Sequence, residues 1–378
     1  MSTKNRKKSH AVLIVTIITV VAAVLCVASF IGVQKISEYR ATALDQKQAE
    51  VDAINLQKDQ EYAVALAEYE AATASGANLA WPAQSTEGWD VVDLTNYPLE
   101  SAYTTTLSRQ ETMYNGLLLV NQWHSRPEDF SEENLVSVGT YTSGSIAVAN
   151  YSVRLFENTI NAFQDCLADA ANYGFTYYMI SEGYRSWDDQ NTLFQKKVSA
   201  LSGKYSGDAL IEAAKKEVNY PGTSEFNTGL AFIVRLYKNG DSQINNLDYT
   251  TCDAGIWMSE NSWRYGLIFR FPLTDYPMKG TTDKSYKTGI STKLKALRYV
   301  GKGNAAVMYN LDMCLEEYIE YLMEHPHIAV FEDGTLKYEI YRQYVGDAES
   351  FNVEITGKAK SYTSSLDNMG GLITVFEY

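Results

Sequence analysis

The sequence predicts an α+β fold, one main domain with a small C-terminal β extension, preceded by a single transmembrane helix and a helical stalk. Three observations predict it. Residues 11–33 are apolar and uncharged, residues 34–75 contain neither Pro nor Gly, and further on helical spacing gives way repeatedly to short β-rich runs.

Residues 1–10, MSTKNRKKSH, carry Lys4, Arg6, Lys7 and Lys8 and no acid. Such a tail stays in the cytoplasm by the positive-inside tendency. Residues 11–33, AVLIVTIITVVAAVLCVASFIGV, are long enough to cross the hydrocarbon as a helix, which places the remainder outside the cell. A cleaved signal peptide is the competing reading, because the run ends in small residues at Ala28 and Ser29, but the apolar stretch is longer than a signal core. Residues 34–75, rich in Ala, Glu, Gln, Lys and Leu, read as a helix. At about 1.5 Å per residue it would hold a domain roughly 60 Å from the bilayer. Leu44, Val51, Ile54 and Leu66 keep no clean heptad, so the helix reads as a stalk. Gly76, Pro82 and Gly88 mark a linker and lead over 76–111.

The core spans 112–326 and the β extension 327–378. SVRLFENTINAFQDCLADAANY (152–173) has helical spacing, 176–181 and 229–237 read as strands, and residues 303–324, GNAAVMYNLDMCLEEYIEYLME, read as one helix. AVFEDGTLKYEIYRQYV (329–345) places Asp-Gly between strand-like runs, the signature of a hairpin, and 351–378 adds further strands.

Setting the four N-terminal cations aside leaves 28 basic residues against 46 acidic ones, a formal charge of −18 on the outward part. That excludes nucleic acid as a partner, since binding it requires basic patches that neutralise phosphate. It also argues against broad adsorption to anionic wall polymers, so a ligand pocket must differ locally from its surroundings. Outside the apolar run stand Cys166, Cys252 and Cys314, an odd number without CxxC spacing, and the sequence selects no disulfide among them. Cys166 and Cys314 read as buried small apolar residues. The histidines are His10, His124, His325 and His327, and the last two read as a solvated helix cap.

Five segments carry a more specific signal: LLLVNQWHSRPEDF (117–130), SEGYRSWDDQ (181–190), PGTSEFNTGLAFIV (221–234), WMSENSWRYGLIFRFP (257–272) and TGISTKLKALRYVG (288–301). Through them residues 112 to 378 resemble the VanY-type D-alanyl-D-alanine carboxypeptidases, zinc enzymes that trim the stem peptide of bacterial peptidoglycan. The resemblance implies a D,D-carboxypeptidase/hedgehog-like core and a Gram-positive-like cell. The family pattern Ser-x-His-x-x-Gly-x-Ala-x-Asp survives as Ser224, Gly229 and Ala231, but Phe226 stands at the first histidine and Ile233 at the aspartate. In the later segment Lys293 takes the general-base position and Ala296 that of the last histidine.

A catalytic zinc needs about three N, O or S donors, and Phe, Ile and Ala offer none. The resemblance therefore implies a degenerate member with no cofactor, no metal ligands and no catalytic residue. Glu225, in a period-two strand, would point away from the face used by Phe226, and Asp253 is an isolated carboxylate; neither replaces a ligand. The resemblance also places Arg185 in the cleft to hold a substrate carboxylate, a task suited to the forked guanidinium, with Gln190 and Ser224 lining or supporting the cleft. The competing reading pairs Arg185 with Asp188 or Asp189. Together these point to a membrane-anchored extracellular pseudoenzyme that binds stem peptide or an envelope protein. An active zinc D,D-carboxypeptidase with other ligands and a structural component of an envelope assembly stay open, since folds outlive their chemistry.

Overall fold

The computed structural model describes residues 80–378 and, between 46 and 71, isolated positions that are all helical. The chain forms two units, Met1–Val51 and Asp52–Tyr378. Of the first only Gln46, Ala49 and Val51 are described, and the expected membrane span over 11–33 lies outside the described residues. Among the described residues no helix is long and apolar enough to cross a membrane.

The second unit contains the strands β1 (Trp89–Asp93), β2 (Ala102–Ser108), β3 (Val136–Ser137), β4 (Ala147–Val148), β5 (Arg154–Leu155), β6 (Tyr178–Glu182), β7 (Ala231–Leu236), β8 (Leu267–Phe269), β9 (Ala296–Tyr299), β10 (His327–Glu332), β11 (Thr335–Tyr344), β12 (Ser350–Thr356), β13 (Ser361–Leu366) and β14 (Gly371–Glu377). The helices that matter here are α1 (Glu157–Asn172), α2 (Trp187–Leu201), α3 (Asp253–Asn261), α4 (Lys302–Asn310) and α5 (Leu315–Glu324).

The sheet that positions the site has the order β4-β6-β7-β9-β8. Only β4 and β6 run parallel. Alternation along β7 separates two environments. Phe232 and Val234 join Ile160, Phe163 and Cys166 of α1, Met258 of α3 and Leu297 of β9 in the main core. Ala231 and Ile233 enter a separate, smaller cluster.

A second sheet, β1-β10-β11-β14-β13, is antiparallel throughout, and β2 pairs with β12. The β10–β11 hairpin turns at Asp333 and Gly334, with φ 49° and 71°. Positive φ at both positions belongs to a type I′ turn, whose twist matches the strands it joins. Residues 89–108, within the segment read as linker and lead, supply β1 and β2, so N-terminal strands complete the C-terminal ones.

Three local readings are corrected. Residues 154–155 pair as β5 with β3, so α1 starts later than the helical spacing from 152 suggested. The stretch 303–324 is two helices: residues 311–314 interrupt it, with Asp312 at φ 50°, and α5 restarts after Cys314, whose N–H donates to Glu317 Oε2 at 3.0 Å. A left-handed residue ends a right-handed helix, and apolar periodicity that continues across the break conceals it. His327 is fully buried, with Nδ1 2.6 Å from the Tyr97 carbonyl and Nε2 2.8 Å from Glu339 Oε1, while His325 is partly exposed beside Asp93 at 2.9 Å. Cys166 and Cys314 are buried, and all three described cysteines are free.

Candidate functional site

The smaller cluster gathers the positions at which the resemblance expects metal ligands. Ile233 of β7 and Ala296 of β9 are cross-strand neighbours, and they pack with Phe226, Ala231, Phe271, Ile290 and Leu294. Phe226 and Ala296 are buried, and Ile233 is half-buried.

Arg185 lies over this cluster, its guanidinium 4.1 Å from the Phe226 ring centroid, a cation–π contact. Nη1 donates to Gln190 Oε1 at 3.3 Å, and Nη2 pairs with Glu182. The acid beside Arg185 is therefore Glu182, not Asp188 or Asp189; Asp189 completes the capping box of α2 with Ser186. Gln190 is buried and anchored by its Nε2, which donates to the Asn219 carbonyl at 2.8 Å. It therefore holds one edge of the guanidinium in place.

Ser224 caps the 3₁₀ turn Glu225–Thr228, its hydroxyl accepting from the Phe226 N–H at 3.3 Å. Asn227 of the same turn donates to the Arg185 carbonyl at 2.7 Å, tying turn and arginine together. Gly229 ends the turn at φ 70°, and a Cβ there would stand 2.5 Å from Leu135 Cδ2. Glycine alone is comfortable in that combination of backbone and space. Lys293 is exposed, its Nζ 5.7 Å from the Tyr276 ring centroid.

Glu225 was misread. The 3₁₀ turn breaks the two-residue period, and the side chain turns inward to meet Arg270 Nε at 2.5 Å and to pair with Arg298. Arg270 then reaches Glu316 through Nη1 at 2.9 Å and Nη2 at 2.7 Å, and Asn121 Nδ2 donates to Glu316 Oε1 at 2.9 Å. Arg298 Nη2 donates to the Gly116 and Leu118 carbonyls at 2.6 and 3.1 Å. All four charges are buried. Burial pushes the Glu316 carboxyl up, but the adjacent Arg270 charge and its hydrogen bonds outweigh that and hold it below the ordinary glutamate range. A signal for this cluster was present in the sequence: Arg270 in IFRFP and Arg298 in ALRYV are lone charges inside apolar runs, and a buried charge needs a partner.

The profile of the family described as D-alanyl-D-alanine carboxypeptidase (VanY) matches residues 152–301. The putative carboxypeptidase YodJ of Bacillus subtilis (strain 168) is 31% identical over 230 residues, covering 59% of this chain and 76% of that protein. The chain belongs to the VanY family. It shares its fold with the vancomycin-resistance D,D-dipeptidase VanXYg, solved in complex with a D-Ala-D-Ala phosphinate analog, at a TM-score of 0.54 and 22% identity, over 73% of this chain and 99% of that one. A mutant of the vancomycin-resistance D,D-pentapeptidase VanY from a VanB-type cassette, 30% identical over 54% of this chain and 98% of that one with a TM-score of 0.42, is solved in complex with Zn(II).

Membership of the VanY family corrects the expectation of no cofactor. Zinc is present in a solved family member. Phe226, Ile233 and Ala296 carry no donor atom, and among the described residues no three His, Cys, Asp or Glu side chains come together as a metal group. The residues at this place do not fit the ion.

Proposed function

We propose that this VanY-family chain is anchored in the cell membrane by residues 11–33, with its amino terminus cytoplasmic, and that its extracellular body binds the carboxylate end of a peptidoglycan stem peptide without hydrolysing it. The observation that carries this reading is Arg185, stacked on Phe226 and steadied by Gln190, with its side chain 18% exposed at the rim of the apolar cluster. A guanidinium has five N–H donors, and the contacts to Gln190 and Glu182 leave others to offer. Glu182, 44% exposed, is a weak internal rival, since exposed ion pairs contribute only about 0–1 kcal/mol. On an outward surface of strong negative charge, such an anchored cation is a local exception able to select a carboxylate.

The absence of hydrolysis follows from the base. Attack by water on an amide requires a group that accepts a proton, and a lysine ammonium, as Lys293 supplies, has donors only. The apolar side chains of Phe226, Ile233 and Ala296 give the reaction no polar support at its floor.

Titration of the full-length protein with a stem pentapeptide ending in D-Ala-D-Ala is expected to saturate. Arg185→Ala should weaken it at least about tenfold, the scale of a charge-assisted hydrogen bond, with an unchanged thermal midpoint; equal affinity in the variant would sink the binding reading. Release of D-alanine from the same peptide, assayed with added zinc, is expected to be absent, and turnover would return the chain to the active carboxypeptidases. Extraction of the native protein from membranes by alkaline carbonate would remove the anchor from the proposal.

A further inference from the structure

A cavity of about 260 Å³ opens where α1 and α4 meet β13 and β14, and it shares no residue with the apolar cluster or with the Arg185 site. Asn158, Asn161 and Asp165 line one wall, three and four positions apart and so on one face of α1. Lys302, the first residue of α4, stands on a second wall, and Thr363 and Glu377 come from the strands. Ala162 and Val300 are buried at the floor, whereas Asn161, Asp165, Lys302, Thr363 and Glu377 are exposed at the mouth. A ligand can therefore enter from solvent and find a closed end.

The fold leaves several of these groups uncommitted. Among the described residues Asp165 and Lys302 enter no ion pair, and the hydroxyls of Thr363 and Tyr299 make no hydrogen bond. Asn161 spends only its Oδ1, which accepts from the Tyr141 hydroxyl at 3.3 Å, and Glu377 only its Oε2, which accepts from Ser361 at 3.0 Å. Burial and the Glu377 charge push the Tyr299 phenol up, so it keeps its proton and remains a donor. Both signs of charge stand at the mouth, Lys302 against Asp165 and Glu377, and an anion gains nothing there on balance. What the walls share is donors beside acceptors: amide and ammonium N–H groups, carboxylate oxygens, and hydroxyls that do both. Tyr265 and Tyr299 add an apolar body with a polar tip.

We propose that Asn161, Asp165, Tyr299, Lys302, Thr363 and Glu377 form a binding site for one neutral sugar unit. A sugar ring carries hydroxyls around its rim, each a donor and an acceptor, and C–H groups on its faces, which matches walls of mixed polarity interrupted by tyrosine. The size agrees: 260 Å³ is the space of about nine waters at about 30 Å³ each, enough for one six-membered ring with its substituents and too little for two. A free monosaccharide and the end of a glycan chain present the same chemistry. The site uses no residue that holds Arg185, and it stands whether or not the stem-peptide reading does.

The test is calorimetric titration of the full-length protein with methyl β-D-glucopyranoside and methyl N-acetyl-β-D-glucosaminide, with the matching trisaccharides cellotriose and triacetylchitotriose, and with alanine and acetate as charged probes. Saturable binding of at least one methyl glycoside is expected, with alanine and acetate at least tenfold weaker. Joint replacement Asp165→Ala and Lys302→Met should weaken that glycoside at least tenfold, since each removes a charged hydrogen-bonding partner. Tyr299→Phe should weaken it several-fold without lowering the thermal midpoint of the sugar-free protein, because it removes a hydroxyl that has no partner, and Arg185→Ala should leave it unchanged. Binding of the matching trisaccharide as tightly as the glycoside would assign a glycan chain end, and loss of binding in the trisaccharide would assign a free monosaccharide. No saturable binding of either glycoside, alanine or acetate binding as tightly, or full affinity in the double variant would overturn the proposal and leave the cavity to water or to a charged ligand.

Discussion

Glu225 and Phe226 are adjacent in the chain and lie in opposite environments. Glu225 turns into a buried set of charges with Arg270, Arg298 and Glu316, and Phe226 into an apolar one with Ile233 and Ala296. The same elements feed both, since Ala296 and Arg298 are two residues apart on β9. The charged set is balanced, two carboxylates against two guanidinium groups, and it ties the turn before β7 to the loop after β8, to β9 and to α5. The apolar set fills the place where the family resemblance puts metal ligands. The pair shows that adjacent positions of one turn serve separate sets, one that ties the backbone together through buried charges and one that packs with the apolar side chains of β7 and β9.

The comparison breaks most directly at Glu225. Glu225→Ala leaves Arg298 without its carboxylate and Arg270 with Glu316 alone. Removing one member of a buried ion cluster strands the others without water, an effect of about 3–5 kcal/mol. Urea denaturation measures it. A loss within experimental error would mean that the charged set carries none of the stability assigned to it.

Acid should act on one set and not on the other. The folded-state pKa of Glu316 is depressed, so its contribution to stability is present above the unfolded glutamate value of 4.5 and is lost as pH falls through the lower, folded value. Phe226, Ile233 and Ala296 do not titrate. Glu316→Gln should therefore be less stable than the parent near neutral pH and lose less further stability as pH falls below 4.5. Parallel stability curves for the two proteins would place the acid sensitivity elsewhere.

Sequence and structure agree where local chemistry decides. Asp333-Gly334 specifies its turn through two positive φ angles, which few residue pairs accept. The strands carrying YMISE and AFIVRL were legible from their β-rich composition. Agreement fails where a tertiary partner decides. The inward turn of Glu225 depends on two arginines more than forty positions away, and His327 is buried because Glu339 and the Tyr97 carbonyl meet both of its nitrogens. The break in 303–324 escaped because apolar spacing reports which face is buried and not whether the backbone is continuous. At the site, the apolar character of Phe226, Ile233 and Ala296 is legible, but the acid beside Arg185 lies at the end of β6, in Glu182, and not in the next helix turn.

The smallest expected effect separates scaffold from ligand site at a single hydroxyl. Ser224 was read as supporting the cleft, yet its Oγ accepts from the Phe226 N–H and its own N–H donates to Asn227 Oδ1 at 3.3 Å, which makes it the cap of the turn. Ser224→Ala should lower stability by about 1 kcal/mol, the usual worth of such a cap, and leave stem-peptide affinity intact, because the variant keeps Arg185, Glu182 and Gln190 and their contacts. Thermal unfolding and peptide titration on one preparation read both quantities. If instead stability held and affinity fell, Ser224 would belong to the ligand site, and the division between the groups that tie the backbone together and those that meet a ligand would run through the middle of the turn.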